Sequence, residues 1–369
     1  MGVEAMIYIY GAVCLSMIVF NTLYSLAMRH REPRLEKREA RLRAAVAEEL
    51  AAVRQGKSVS EAHIDYLARS LSKVNNLLAF DKVMAPLFSR QEDEVNRRYL
   101  DQLQPMVLRL SLVYLMRENT QAACFSYFLS RYTQRRKMPI DSLQDILLDY
   151  VRKDSLYCRV NALEALYAFG SVDHVVQGIK LQDDGKVFVH DKLLTEGLLT
   201  FHGDHRELIG KLFASLDSLS QRTQLAVLNY IRFCTAGYEK EMFRIMMDDS
   251  RDKELRLSAI RYFGRYAYPP ALEPLLAFAS DKELERWEYA TVSVSSLARY
   301  SGERVMAVLK EALHSSNWYV RSAAAQSLEM LGVDYGDLLD VMSSGDRYAR
   351  EMILYRLETQ RIKEGEAGS

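Results

Sequence analysis

A short pattern returns through the second half of this 369-residue chain, and it leaves few folds open. Residues 158–163, 255–260 and 320–325 each present an apolar residue, then Arg159, Arg256 or Arg321, then alanine three places on. Apolar positions follow at +4, +7 and +10: Leu163, Leu166 and Phe169; Ile260, Phe263 and Tyr266; Ala325, Leu328 and Leu331. That spacing is one face of an α-helix. Taking the arginine as anchor, the register falls at Arg159, Asp191, Thr223, Arg256, Trp287, Arg321 and Arg350, at intervals of 29 to 34 residues. A second apolar helix precedes most anchors, over about 140–152, 208–215, 239–247, 270–278, 302–313 and 334–343. Two helices per unit, each with a stripe it cannot bury alone, have to stack on their neighbours, which predicts an all-α solenoid of about seven units over 139–360.

Composition narrows the function classes. Lys+Arg 49 against Asp+Glu 49 gives no net charge, so a general nucleic-acid-binding role, which needs a basic surplus, is not expected. Hydrophobic content of 49% with 27% charged residues is that of a folded chain. Cys14, Cys124, Cys158 and Cys234 are widely spaced, which suits reduced core residues better than a disulfide framework or a zinc site.

Residues 6–28 carry no charge, and at about 1.5 Å per residue such a stretch crosses a hydrocarbon core of roughly 30 Å. Tyr8, Tyr10 and Tyr24 lie near its ends, where amphipathic rings favour the interface. Arg29, Arg31, Arg34, Lys37, Arg38, Arg41 and Arg43 follow it, while only Glu4 and the terminal amine precede it. The positive-inside rule then predicts a single-pass anchor over 1–28, a short N-terminus outside and a cytoplasmic body. A cleaved signal peptide would carry its charges on the other side. Residues 29–56 are expected to form a charged, solvated helical stalk with pairs such as Glu39–Arg43. Residues 57–138 read as a helical capping region holding a degenerate repeat, with helices near 64–78, a bent one over 93–116 and a third over 120–132. Residues 361–369 read as a disordered tail.

A second recurrence lies between the paired helices. Asp154, Asp217, Asp252, Asp281, Asn317 and Asp346 precede Arg159, Arg222, Arg256, Arg286, Arg321 and Arg350 by four or five positions. An Asx residue there is expected to cap the second helix, and the arginine one turn later to pair with it, as structural glue rather than a catalytic dyad.

These units resemble the HEAT-repeat family, in particular the short bacterial kind whose second helix opens with apolar-Arg-x-x-Ala. Residues 158–163, 255–260 and 320–325 carry the resemblance; the units at Asp191 and Thr223 lack the arginine, and that at Trp287 shifts it by one. The resemblance implies a right-handed α-solenoid of helical hairpins, here preceded by a transmembrane helix and a stalk. It implies little about function, since such arrays serve as scaffolds, adaptors and, in bilin lyases and some alkylpurine DNA glycosylases, enzymes. Membrane-tethered HEAT proteins of similar outline can accompany membrane glycosyltransferases, so the resemblance implies such an enzyme or another membrane complex as a partner.

No nucleotide-loop, nucleophile-elbow or metalloprotease motif occurs. His202, Asp204 and His205, with His190, are the best metal ligands by type, but their turn position favours ordinary polar roles, and no metal or other cofactor is expected. The acidic run Asp248, Asp249 and Asp252 lacks a calcium loop's glycine and distal glutamate. Asp183, Asp184 and Gly185 suit a tight turn. Arg135, Arg136 and Lys137 form a polar junction. The expected working surface is the concave face made by the second helices, with Arg232, Arg261, Tyr262, Arg265 and Arg299 facing a partner. The sequence therefore predicts a non-catalytic membrane scaffold for a protein partner, bound to the bilayer through 6–28; a small-ligand sensor using an Arg/Tyr groove, or a lyase-type enzyme, is the alternative.

Overall fold

A computed structural model of the chain describes residues 3–89, 93–133, 141–169 and 171–367, and every regular element among these is helical. The molecule divides into two compact units: residues 1–188 with 201–203, and residues 189–200 with 204–369.

The first unit opens with α1 (Val3–Arg54), an unbroken helix of 52 residues that contains both the apolar stretch and the charged segment, Pro33 included. Its apolar part, Tyr8–Ser25, has a mean hydropathy of 1.3 and none of it is buried. Its second half is not the solvated stalk expected from the charges. Leu42, Val46 and Val53 lie on one helix face and are buried against α3 (Val74–Ser89) and α4 (Glu94–Gln102), so this half of α1 belongs to the body. The charged residues cover only the outward face.

The remaining helices of this unit are α2 (Glu61–Leu71), α5 (Gln104–Leu115), α6 (Asn119–Thr133), α7 (Asp141–Val151), α8 (Leu156–Phe169) and α9 (Val172–Asp183). The single bent helix expected over 93–116 is in fact two. Leu103 ends α4, and Pro105 sits in the first turn of α5, where its missing N–H leaves no bond unmade. In one layer α2 packs on α5 and α5 on α7; in the other α3 packs on α6 and α6 on α8. The hairpins α2/α3, α5/α6 and α7/α8 therefore stack in the same two-layer manner on both sides of residue 139. Residues 134–140, with Arg135, Arg136 and Lys137, lie outside the described residues.

The second unit runs through α10 (Asp191–Leu199), α11 (His205–Ala214), α12 (Gln221–Cys234), α13 (Glu239–Met247), α14 (Lys253–Phe263), α15 (Leu272–Ala279), α16 (Trp287–Leu297), α17 (Glu303–Ala312), α18 (Trp318–Met330), α19 (Leu339–Ser343) and α20 (Arg347–Ala367). The last first-helix, expected over 334–343, is shortened to the brief α19. The expected disordered tail is instead helical as far as Ala367. Second helices α10, α12, α14, α16, α18 and α20 pack in succession, more extensively than the first helices do on each other. Within this unit the second helices thus form the tightly spaced inner layer. The small residues of the repeat explain that closeness: Ala259 and Ala324 are fully buried, and side chains at neighbouring positions bond across the layer. Ser258 Oγ meets Asn229 Oδ1 at 3.1 Å, Ser296 Oγ donates to Ile260 O at 3.0 Å, and Ser327 Oγ to Val294 O at 2.9 Å.

Candidate functional site

Arg159, Arg256 and Arg321 make their hydrogen bonds to backbone carbonyls rather than to the Asx residues expected to pair with them. Arg159 donates through Nε to the Lys153 carbonyl at 2.7 Å and through an Nη to that of Arg152 at 3.5 Å. Arg256 Nε reaches Met246 O at 3.0 Å, and Arg321 reaches Ser315 O at 2.7 Å and Ser316 O at 3.1 Å. Each therefore satisfies carbonyls left free at or just beyond the end of the preceding helix, where a positive charge also suits the helix dipole. Arg256 and Arg321 also lie over the rings of Tyr289 and Tyr348 in the following repeat, 5.2 and 5.5 Å from the centroids. These arginines hold turn to helix and repeat to repeat.

The Asx residues divide. Asp252 caps α14 through Glu254 N–H at 2.7 Å, Asn317 caps α18 through Tyr319 N–H at 2.8 Å, and Asp346 caps α20 through Tyr348 and Ala349 N–H at 3.0 and 3.2 Å. Asp281 accepts from Glu283 N–H at 2.9 Å, ahead of the turn that leads into α16, and lies 3.6 Å from Arg286. Asp154 and Asp217 are not caps: α8 begins after Ser155, whose hydroxyl takes Cys158 N–H at 3.5 Å, and Asp217 instead pairs with Arg251 at 2.6 Å. Arg256 takes Asp249 rather than Asp252 as its ion-pair partner, at 2.7 Å. Asp346 reaches across to His314, not Arg350, at 2.9 Å.

Tyr262, expected on the binding face, is fully buried. Its hydroxyl accepts Tyr238 N–H at 3.1 Å and faces Thr235 O at 3.4 Å, and burial pushes its pKa up to about 12. Tyr300 makes the matching contact with Tyr268 N–H at 3.1 Å, and Tyr230 with His205 at 2.6 Å. In all three, a tyrosine near the end of a second helix ties down the start of its own hairpin. Buried Tyr114, Tyr132 and Tyr150 bond Leu71, Leu100 and Ser111 carbonyls in the first unit. Much of the chain's tyrosine is accordingly structural.

Arg232, Arg261 and Arg265 do come together. They line an open groove of about 560 Å³ with Phe233, Gly264, Val292, Ser295 and Ser296. Arg232 lies in the last turn of α12, Arg261 in the last turn of α14 and Arg265 just past its end, and α16 supplies the far wall. A Cβ on Gly264 would stand 3.2 Å from the Ser296 Cα, so the glycine lets the two helices close over the groove floor. Arg232 lies over Phe233 at 4.6 Å and Arg265 approaches the same ring at 5.8 Å. Burial, then the charges of Arg261 and Arg265, lowers the Arg232 pKa to about 10. Arg299 is exposed on α16's C-terminal side and does not line the groove.

Farther along the inner layer, Trp318, Arg321, Ser322, Tyr348, Met352 and Tyr355 line a second groove, of about 420 Å³, between α18 and α20. Trp318, Tyr348 and Tyr355 are 56%, 69% and 66% exposed. The sequence reading missed these aromatics. Their signal was position: Trp318 and Tyr348 open successive second helices just ahead of the repeat arginine or its equivalent.

The polar clusters singled out by residue type are spent on local structure. Asp204 caps α11, His190 caps α10, and His205 holds Tyr230. Asp248 accepts both the N–H and hydroxyl of Ser250, and Gly185 N–H closes the turn onto Gln182 O. Among the described residues no group of three His, Cys, Asp or Glu side chains is placed to hold a metal ion.

No curated protein matches this chain. Residues 241–332 match the family model of HEAT repeats, a stretch that runs from the first turn of α13 to just past the end of α18. With its stack of helical hairpins and its repeated second-helix opening, the chain carries HEAT repeats, a helical scaffold of the kind used for protein interaction.

Proposed function

We propose that this chain is a membrane-anchored, cytoplasm-facing HEAT scaffold whose inner helix layer holds a partner protein at the bilayer. The observation that carries the proposal is the aromatic groove between α18 and α20. Tyrosines such as Tyr230, Tyr262 and Tyr300 are buried and hydrogen-bonded, whereas Trp318, Tyr348 and Tyr355 stand exposed together beside Arg321 and Arg356. Trp, Tyr and Arg are the residues enriched where truncation costs most at protein interfaces. The tether rests on Tyr8–Ser25, which is apolar, unburied and followed by a basic flank. Confining the array to a surface raises its effective concentration toward other membrane proteins. A membrane glycosyltransferase is the partner class that the outline favours.

The test is cross-linking and capture from membranes with the full chain, a form lacking residues 1–28, and a Trp318→Ala/Tyr348→Ala variant. The full chain should fractionate with membranes and capture a membrane protein, the truncated form should become soluble and lose it, and the variant should stay membrane-bound with capture reduced at least tenfold. Normal capture by the variant would refute the groove, and a membrane-free full chain would refute the anchor.

A further inference from the structure

The three-arginine groove is a different kind of surface from the aromatic one. Elsewhere in the second unit, several cations that bridge repeats sit on acids, Arg251 on Asp217, Lys253 on Glu288, Arg304 on Glu273 and Lys310 on Asp340, while Arg321, which bridges to Tyr348, donates to the Ser315 and Ser316 carbonyls. No acid lines the groove of Arg232, Arg261 and Arg265. Among the described residues none of the three guanidinium groups makes an ion pair or donates a hydrogen bond; the Arg232 Nε is buried with no acceptor. The charges of Arg261 and Arg265 both oppose that of Arg232. Three like charges brought together, with Arg232 partly desolvated among them, are a poor arrangement for stability alone. They suit an incoming group that brings at least two negative charges and several acceptor oxygens, since guanidinium forks pair with such groups bidentately. One carboxylate would leave two of the three charges uncompensated.

We infer that Arg232, Arg261 and Arg265 form a binding site for a phosphate or diphosphate group, with Ser295 and Ser296 on the wall and the Phe233 ring under Arg232 and Arg265. The group is equally that of a free phosphorylated metabolite or of a phospholipid or lipid-linked diphosphate head. The site does not depend on the scaffold role: an adaptor needs no anion, and the aromatic groove lies between other helices.

The experiment titrates pyrophosphate, then inorganic phosphate, into the full chain in a neutral detergent, by calorimetry and thermal shift. Saturable binding is expected, weakening with added salt as exposed charges are screened, and a dose-dependent rise in Tm is expected with it. Arg261→Gln/Arg265→Gln, a change confined to the more accessible arginines, should weaken pyrophosphate binding at least tenfold while leaving the unliganded Tm within a few degrees. Arg265→Lys, which keeps the charge and loses the fork, should fall between. Arg299→Gln, outside the groove, should bind as the parent does. Flotation with neutral vesicles doped with a phosphatidate lipid separates the sources: groove-dependent retention beyond that given by the anchor assigns a lipid head, and its absence with intact pyrophosphate binding assigns a soluble ligand. No saturable pyrophosphate binding, or binding unchanged in the double variant, overturns the proposal. Binding of an oligoglutamate peptide without either phosphate probe also overturns it, in favour of an acidic protein segment.

Discussion

Tyr262 and Arg159 show how single residues carry this fold. Tyr262 lies where a repeat's second helix returns to the start of its first, and its hydroxyl satisfies a backbone N–H that no helix bond can reach. Replacing it with phenylalanine keeps the ring and orphans that N–H, at a cost of about 1–3 kcal/mol. Tyr262→Phe should therefore lower the denaturation midpoint measurably, and hydrogen exchange should localise the loosening to the Gly237–Tyr238 turn; an unchanged midpoint with unchanged exchange would contradict the tie. The repeat arginine was readable as a position in the sequence but not as a contact. Its Asx neighbour four or five residues back is a plausible partner on paper, yet a guanidinium at the start of a second helix can also reach back to the preceding helix's free carbonyls. Sequence spacing does not encode backbone acceptors, so Lys153, Met246 and Ser315 gave no signal. Arg232, Arg261 and Arg265 were legible as outward positions because helical spacing alone puts them there; Tyr262, adjacent to Arg261, was misplaced by the same rule, since the stacking of neighbouring helices leaves the second helices little outward face.

At the scale of elements, the helices with a clear 3.6-residue period were found within a few residues, and the ones that departed did so for local reasons. Pro105 divides a helix because it serves best in a first turn, and α19 is short because residues 334–338 close on themselves through Asp334 and Asp337. The second half of α1 hid its apolar face: Leu42, Val46 and Val53 are three residues among many charges, too sparse to read as a core stripe until α3 and α4 cover them. The caps give a sharp contrast. Asp252→Ala removes a side-chain acceptor from the first turn of α14 and should cost about 1 kcal/mol. Asp154→Ala, at the equivalent place in its repeat, removes no cap and only a charge near buried Arg159, and should cost less than Asp252→Ala. Urea denaturation of both variants would check this; equal losses would mean that the capping assignment is wrong.

For the molecule as a whole, two units that each stack hairpins in two layers account for what the sequence could and could not say. Periodicity specifies a stack because every hairpin leaves a stripe for its neighbour to bury, and that much is written in apolar spacing. The exposed aromatics between α18 and α20, and the uncompensated arginines over α14, arise from side chains contributed by successive repeats, so no window of the sequence contains either groove entire.

Under the anchoring proposed above, the unbroken course of α1 has a geometric consequence. Each residue of an α-helix advances about 1.5 Å and turns about 100°. Because the apolar stretch and the face buried on α3 and α4 share one helix, the number of residues between them sets both a height and a compass bearing for the helices clamped to it. Two alanines inserted after Arg31 would raise those helices by only about 3 Å but swing them roughly 200° around the axis. Seven would raise them about 10 Å and bring them back to within about 20° of the original bearing. Membrane cross-linking to the partner should then fail with two extra residues and largely return with seven, a dependence on phase rather than on distance. If yield instead falls steadily with insert length, α1 acts as a tether of given reach and not as a fixed axle.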